Sequence, residues 1–161
     1  MSSNFQKVVE FNKAFGVKCN TTIQHDIFDK DPKLVQSRLA LLQEEFNETI
    51  EAIKNKDFTE MTDGLIDLLV VTYGMCANLG IPADKCFDIV NKSNMSKLCE
   101  TEDIASESVR RYQSEVPQRY DSPAYRKSDC GKYFVVYNKN SDKILKSYLY
   151  TPVDFTELLK N

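Results

Sequence analysis

Glu44, Glu45 and Glu48 stand together as Glu-Glu-x-x-Glu, Glu60 and Asp63 follow after a short spacer as Glu-x-x-Asp, and Asp67 lies one turn further on. On a helix advancing about 100° per residue, Glu44, Glu45 and Glu48 project at about 180°, 280° and 220° from the Val35 direction, with Leu34 and Leu41 at about 260° and 240°. Glu45 therefore falls in an arc that is partly apolar, where a plain solvated face would not place a carboxylate. Glu60, Asp63 and Asp67 lie within roughly 60° of one another, so they share a face that continues as Val70, Val71 and Gly74.

Carboxylates converging in a partly desolvated place repel one another, and they stay ionised only where cations neutralise them. Oxygen donors without histidine or thiolate select hard ions, Mg²⁺ first and Mn²⁺ as a substitute. Such ions bridge phosphate oxygens, so the pattern points to metal-assisted attack of water on a phosphate chain. The competing reading of Glu-Glu-x-x-Glu is a solvated helix face with ion pairs, and the acidic pattern alone leaves both open. A di-iron site of the ferritin kind is excluded, because it needs Glu-x-x-His pairs and His25, the sole histidine, stands in an irregular segment.

Two antiparallel helices are needed to bring these side chains together. The stripe Val35, Leu39, Leu42, Phe46, Ile50 and Ile53 predicts a helix over 33–54, opened by Asp31-Pro32. Lys54-Asn55-Lys56-Asp57 predicts the turn, and Asp57 or Thr59 the cap of a helix over 58–79 that stops at Gly80. Residues 68–73 are apolar nearly all round apart from Thr72, so that helix is expected to be covered on every side, by its own chain or by a partner. Phe5, Val8, Val9, Phe11, Asn12 and Phe15 predict a first helix over 4–15, Pro82 opens another as far as Leu98, and Thr101-Glu102-Asp103 a more polar one to Gln113. Residues 133–137 read as a strand, 138–142 as a turn, 144–147 as the return strand of a β-hairpin, and 154–159 as a last helical turn. The expected fold is mainly α, with a four-helix-bundle-type core over 1–98 and an extension over 99–161 that holds a helix and a small β-hairpin.

Composition narrows the function classes. With 42% apolar and 28% charged residues among 161, the chain can build one domain's core and is not a disordered segment. Twenty-one basic against 24 acidic residues, net −3 and without a dense basic block, disfavour a polynucleotide partner. No apolar run approaches bilayer length, and Met-Ser-Ser-Asn lacks the basic segment and apolar core of a signal peptide, so a cytoplasmic protein, or one in a host's cytosol, with no membrane partner is expected. The five cysteines are scattered without Cys-x-x-Cys, which fits reduced thiols; Cys76 and Cys86 fall at apolar helical positions expected in the core.

Together these residues resemble the all-α nucleoside triphosphate pyrophosphatases, the MazG-like group that includes dimeric dUTP and dCTP pyrophosphatases and phosphoribosyl-ATP pyrophosphohydrolase. That group's signature is Glu-Glu-x-x-Glu followed by Glu-x-x-Asp, here Glu44-Glu45-Phe46-Asn47-Glu48 and Glu60-Met61-Thr62-Asp63. The run from Asp63 to Gly74, the run from Ser93 to Leu98 and Phe11-Asn12-Lys13-Ala14-Phe15-Gly16 look like the branch with two aspartates on the second acidic helix. The similarity spans about residues 5–98, with a weaker echo in 143–146 and 150–152.

The resemblance implies hydrolysis of a nucleoside or deoxynucleoside triphosphate between its α and β phosphates, giving the monophosphate and pyrophosphate, as in cleansing of a nucleotide pool. It implies Mg²⁺ held by Glu45, Glu48, Glu60 and Asp63, with Glu44 binding a further ion or orienting the attacking water, and Asp67 supporting them from the substrate side. Lys92 and Lys97 are implied to meet phosphates and Asn94 the sugar or base, against the alternative of a plain polar helix end. Asn12 stands where related sequences often carry histidine, and with Phe11 and Phe15 it is a candidate for the base pocket. A homodimer or a dimer of dimers is implied. Two other functions are consistent with the residues: phosphoribosyl-ATP pyrophosphohydrolase activity on the same scaffold, and a non-catalytic helical dimer with a structural metal or a hairpin that recruits a partner.

Overall fold

An aspartate begins each of the two acidic helices, and a residue in the left-handed conformation ends each. In the computed structural model, which describes residues 2–160, α1 runs Asn4–Ala14, α2 Ile27–Lys30, α3 Pro32–Asn55, α4 Phe58–Leu79, α5 Ala83–Met95, α6 Glu102–Gln113 and α7 Thr156–Leu159. The strands are β1 (Pro123–Lys127) and β2 (Phe134–Asn138). The Asp31 carboxylate accepts from the Leu34 amide at 3.0 Å, and that of Asp57 accepts from Thr59 and Glu60 at 3.0 and 3.1 Å, satisfying amides that a helix start leaves open. Lys56 closes α3 at φ 58° and Gly80 closes α4 at φ 70°. By compactness the chain divides into Met1–Cys86 with Thr156–Asn161, and Phe87–Phe155, a division that falls inside α5 where the sequence placed one after residue 98.

In the first unit α3 and α4 form an antiparallel hairpin, with α1 against α4. The two long helices meet where Thr49 faces Gly64: a Cβ on Gly64 would lie 2.6 Å from the Thr49 hydroxyl and 3.3 Å from its Cα, so only glycine allows this approach. The buried residues of α3 are Thr49 and Ala52. Leu39, Phe46 and Ile53, which the sequence placed on the core stripe, are exposed instead. The physical reason is that the small residues Thr49, Ala52 and Gly64 let backbones come close, and this contact turns α3 about its axis. On α4, Leu65, Ile66 and Leu69 are exposed as well, so the chain's own unit does not give the all-round cover expected of that helix. Cys76 and Cys86 are half-buried rather than core residues, and all five cysteines are free thiols. Among the described residues no single helix is long and apolar enough to cross a membrane.

Residues 17–31 read only as irregular, but Ile27–Lys30 form the short helix α2, and residues 17–24 serve as the cap of α4. The Asn20 amide donates to the Ala77 carbonyl at 2.9 Å, the Gln24 amide to that of Leu79 at 3.0 Å, and the Asn20 side chain to that of Asn78. The buried Asn78 side chain answers by donating to the Lys18 carbonyl. These bonds satisfy carbonyls that the end of a helix leaves without partners.

The second unit is built on Cys99, Ala105, Val136 and Leu145, all buried, with Ile104, Tyr112, Tyr125 and Phe134 around them. Its hairpin differs from the expected one. β2 pairs antiparallel with β1, upstream, in the register Tyr125↔Val136, while Ile144 contributes a single bridge to Tyr137. Pro123 hid this strand in the sequence; it occupies the first strand position, where a missing N–H is tolerated. Backbone bonds between Cys99 and Phe134, at 2.9 and 2.8 Å, occupy part of β2's other edge.

Candidate functional site

The Thr49–Gly64 contact also places the acidic residues. Glu45 lies one turn before Thr49, whose hydroxyl donates to the Glu45 carbonyl at 2.8 Å. Because the helices run antiparallel, Asp67 lies about one turn beyond Gly64 and so comes level with Glu45, while Asp63 and Glu48 flank the contact itself. Glu45 and Asp67 are half-buried; Glu44, Glu48, Glu60 and Asp63 are exposed.

Electrostatics report the same arrangement. Burial first, and then the charges of Asp67, Glu48, Glu44 and Asp63 in that order, push the Glu45 carboxyl above its ordinary value. Asp67, expected as a supporting residue, is thus the charge that acts most strongly on Glu45, and Glu60 in the first turn of α4 is not among those acting on it. Among the described residues none of these six carboxylates has an ion pair or a side-chain hydrogen bond, although Glu51 on another face of α3 pairs with Lys54 at 3.8 Å. As the side chains stand, no three acidic, histidine or cysteine groups among the described residues converge closely enough to hold an ion together. The donor set is nevertheless all oxygen and uncompensated, which suits a hard divalent cation and no soft one.

Residues 8–94, just over half of the chain, match the phosphoribosyl-ATP pyrophosphohydrolase family. The chain belongs to that family. It is a member of the all-α nucleoside triphosphate pyrophosphatase, or MazG-like, superfamily, and membership brings a nucleotide pyrophosphohydrolase-type activity. The chain is also similar to "Uncharacterized protein L479" of Acanthamoeba polyphaga mimivirus, 27% identical over 242 residues that take in 99% of this chain and 96% of the relative.

All six carboxylates lie within the pyrophosphohydrolase match, as do Asn12, Lys92 and Asn94; Lys97 lies just beyond it. Asn12 is buried between α1 and α4, its amide nitrogen beside Gly74 and without a hydrogen-bond partner. Phe11 and Phe15 are exposed and stack on one another at 4.6 Å, forming no enclosed pocket by themselves. In the second unit Lys92 and Asn94 are exposed, and Lys97 donates to the Asn94 side-chain oxygen at 2.7 Å. One residue of the α3 face went unnoticed in the sequence. Arg38 lies seven residues before Glu45, close to two helical turns, and its buried Nε has no partner. The signal was available as a basic residue projecting within about 20° of Glu45 on the helix.

The raised Glu45 value sets a pH dependence opposite to that of most carboxylates. Its folded-state pKa exceeds the unfolded one, so the contribution of this one group to stability is at its most favourable below about pH 4, near the unfolded value, and is lost as pH rises through the window between the two. Glu45→Gln is therefore expected to raise the metal-free melting temperature at pH 7 and to leave it nearly unchanged at pH 4. Thermal melts with a chelator at both pH values check this; an equal or lower melting temperature at pH 7 contradicts it.

Proposed function

We propose that the chain hydrolyses a nucleoside or deoxynucleoside triphosphate with Mg²⁺, adding water across the α–β phosphoanhydride bond to release the monophosphate and pyrophosphate, in cleansing of a cytosolic nucleotide pool. The observation that supports this best is the set of unpaired carboxylates gathered about the Thr49–Gly64 contact within the matched family segment. Glu45, Glu48, Glu60 and Asp63 would hold Mg²⁺, or Mn²⁺ in its place. The ion would shield phosphate charge and lower the pKa of the attacking water. Glu44 orients that water or helps with a further ion, and Asp67, level with Glu45, supports the metal-holding carboxylates from the substrate side. Lys92 and Lys97 meet phosphate oxygens, and Asn94 the sugar or base. Asn12 offers its unpaired amide nitrogen to the base side.

A second substrate, phosphoribosyl-ATP, is favoured by the family description itself and would be cut at the same kind of bond. Incubating the protein with Mg²⁺ and a panel of nucleoside triphosphates, deoxynucleoside triphosphates and phosphoribosyl-ATP, with products identified, decides between them. Release of pyrophosphate from none of them would leave the non-catalytic helical dimer as the better account.

The active form is proposed to be a homodimer or a dimer of dimers. Leu39, Phe46 and Ile53 recur every seven residues on α3, and Leu65, Ile66 and Leu69 add apolar surface on α4. Exposed apolar surface of this extent marks an interaction face. Sedimentation of the wild type should give at least twice the 18.5 kDa chain mass, and Phe46→Glu should shift it toward the monomer. A wild type that sediments as a monomer at micromolar concentration rules the assembly out.

A further inference from the structure

Two buried hydrogen-bond donors of the first unit stand without acceptors. Asn12 is 6% exposed, and its amide nitrogen has no partner. The Nε of half-buried Arg38 is likewise enclosed and unpartnered, and no ion pair among the described residues includes Arg38. A third orphaned atom, the Asn78 side-chain oxygen, is an acceptor closed in under the cap of α4 at 1% exposure. A folded chain rarely leaves buried donors unmet, so two of them close to an acidic site call for an account.

The register of the two long helices brings these donors to one place. With Thr49 against Gly64, Glu45 is level with Asp67. Arg38 stands seven residues before Glu45 and Gly74 seven after Asp67, each projecting within about 20° of its carboxylate. Arg38 and Gly74 are therefore level as well, about 10 Å, or two turns, beyond the carboxylates on the same side of the helix pair. Asn12 reaches this point from α1. A Cβ on Gly74 would lie 3.6 Å from the Asn12 amide nitrogen and, the helix's own backbone apart, would meet nothing else within 4 Å, so there is room beside that donor. All of these residues belong to the unit Met1–Cys86.

A guanidinium and an amide nitrogen donate and do not accept. A carbonyl oxygen on a base edge satisfies them, whereas an amino group in the same position sets donor against donor and leaves all of them unpaired, which costs more than the bond is worth. We propose that Arg38 and Asn12 form the base-selecting end of the substrate groove. They favour bases that carry an exocyclic oxygen, of the uracil, thymine, guanine or hypoxanthine kind, where cytosine and adenine carry an amino group. The site rests on the pyrophosphohydrolase reading above for the nucleotide itself, and it deepens that reading by naming the class of base. Phosphates held beside the carboxylates leave the base of an extended nucleotide further along the groove, on the side where the two donors stand.

The test is an NMR titration of the full chain, in chelator, with four uncharged nucleosides: deoxyuridine, deoxyguanosine, deoxycytidine and deoxyadenosine. Neither metal nor phosphate then contributes to binding. Wild type is expected to bind the first two at least about tenfold more tightly than the last two, the worth of one hydrogen bond to a charged group. Arg38→Met keeps the apolar stem and removes the donors, and Asn12→Asp keeps the shape and turns the donor into an acceptor. Each should bring deoxyuridine and deoxyguanosine down to the level of the other two, whose binding does not weaken. Lys33→Met, at an exposed lysine in the first turn of α3, should bind as the wild type does. The spectra report folding, and if one variant is unfolded the other carries the test. No binding of any nucleoside, equal binding of all four, or a loss shared equally by all four in the variants each overturns the site; the shared loss is what a purely structural role gives. Turnover of the four matching triphosphates with Mg²⁺ is measured in parallel. A wild type that binds as expected but hydrolyses nothing sinks the activity and leaves the site standing, whereas one that hydrolyses all four with equal kcat/KM does the reverse.

Discussion

Glu48→Gln and Asp63→Asn should each abolish measurable pyrophosphate release while leaving the helices intact. Both side chains flank the point where α3 and α4 touch, and both act on Glu45. Each amide keeps the shape of the group it replaces and removes the charge, so the loss is one of cation binding rather than of packing. Residues that merely orient a metal's ligands typically cost about 10–100-fold when changed, and removing a direct ligand should exceed about 100-fold. The same substitutions relieve repulsion around Glu45, so in chelator the variants should melt no lower than the wild type. Stabilisation by added Mg²⁺, clear in the wild type, should shrink in both. Full turnover in either variant would falsify the assigned metal role. A variant that is inactive because it is unfolded is recognised by its lost helical signal, and Glu60→Gln, in the exposed first turn of α4, then provides the comparison at a third proposed ligand.

Gly80→Ala is expected to be the most damaging small substitution in the chain. Gly80 ends α4 at φ 70°, and a Cβ there would lie 1.9 Å from the Thr22 carbonyl oxygen and 2.5 Å from its carbon. Those atoms are backbone, in the segment that caps α4 through Asn20 and Gln24, so they cannot rotate away. The left-handed conformation alone costs alanine about 1–2 kcal/mol. Forcing the cap away leaves helix-end carbonyls without partners, and the sum should reach about 3–5 kcal/mol. Gly16 makes the control: it has φ 72°, but a Cβ there would meet nothing within 4 Å, so Gly16→Ala should show only the conformational cost, about 1–2 kcal/mol. Urea denaturation of the two variants beside the wild type measures both, and equal losses would contradict a steric role for Thr22.

The acidic helices were legible because their signals are local. Caps at Asp31 and Asp57, the glycine at 80 and the helical period of the apolar residues need no distant information, and the span expected for α4 agrees with the one found. The carboxylate spacing was legible for the same reason, as was the superfamily that it resembles. The strand Pro123–Lys127 was not, because a proline that breaks a central strand is harmless at a strand's first residue, and which position it takes depends on the partner. The irregular look of residues 17–24 likewise hid a cap, since the carbonyls it satisfies lie on a helix far along the chain.

What the sequence by itself determined is the longer helices, their order and the acidic side chains they carry, because propensity, capping and periodicity act within a few residues of one another; the short α2 was not among them. Which face of α3 meets α4 was decided only in three dimensions. The apolar stripe competes with the close approach that Thr49 and Gly64 permit, and the close approach prevails. That turn of the helix sets Glu45 level with Asp67, half out of water and among like charges, and leaves Leu39, Phe46 and Ile53 exposed. A linear pattern records which residues are apolar, but not which pair of backbones can come closest.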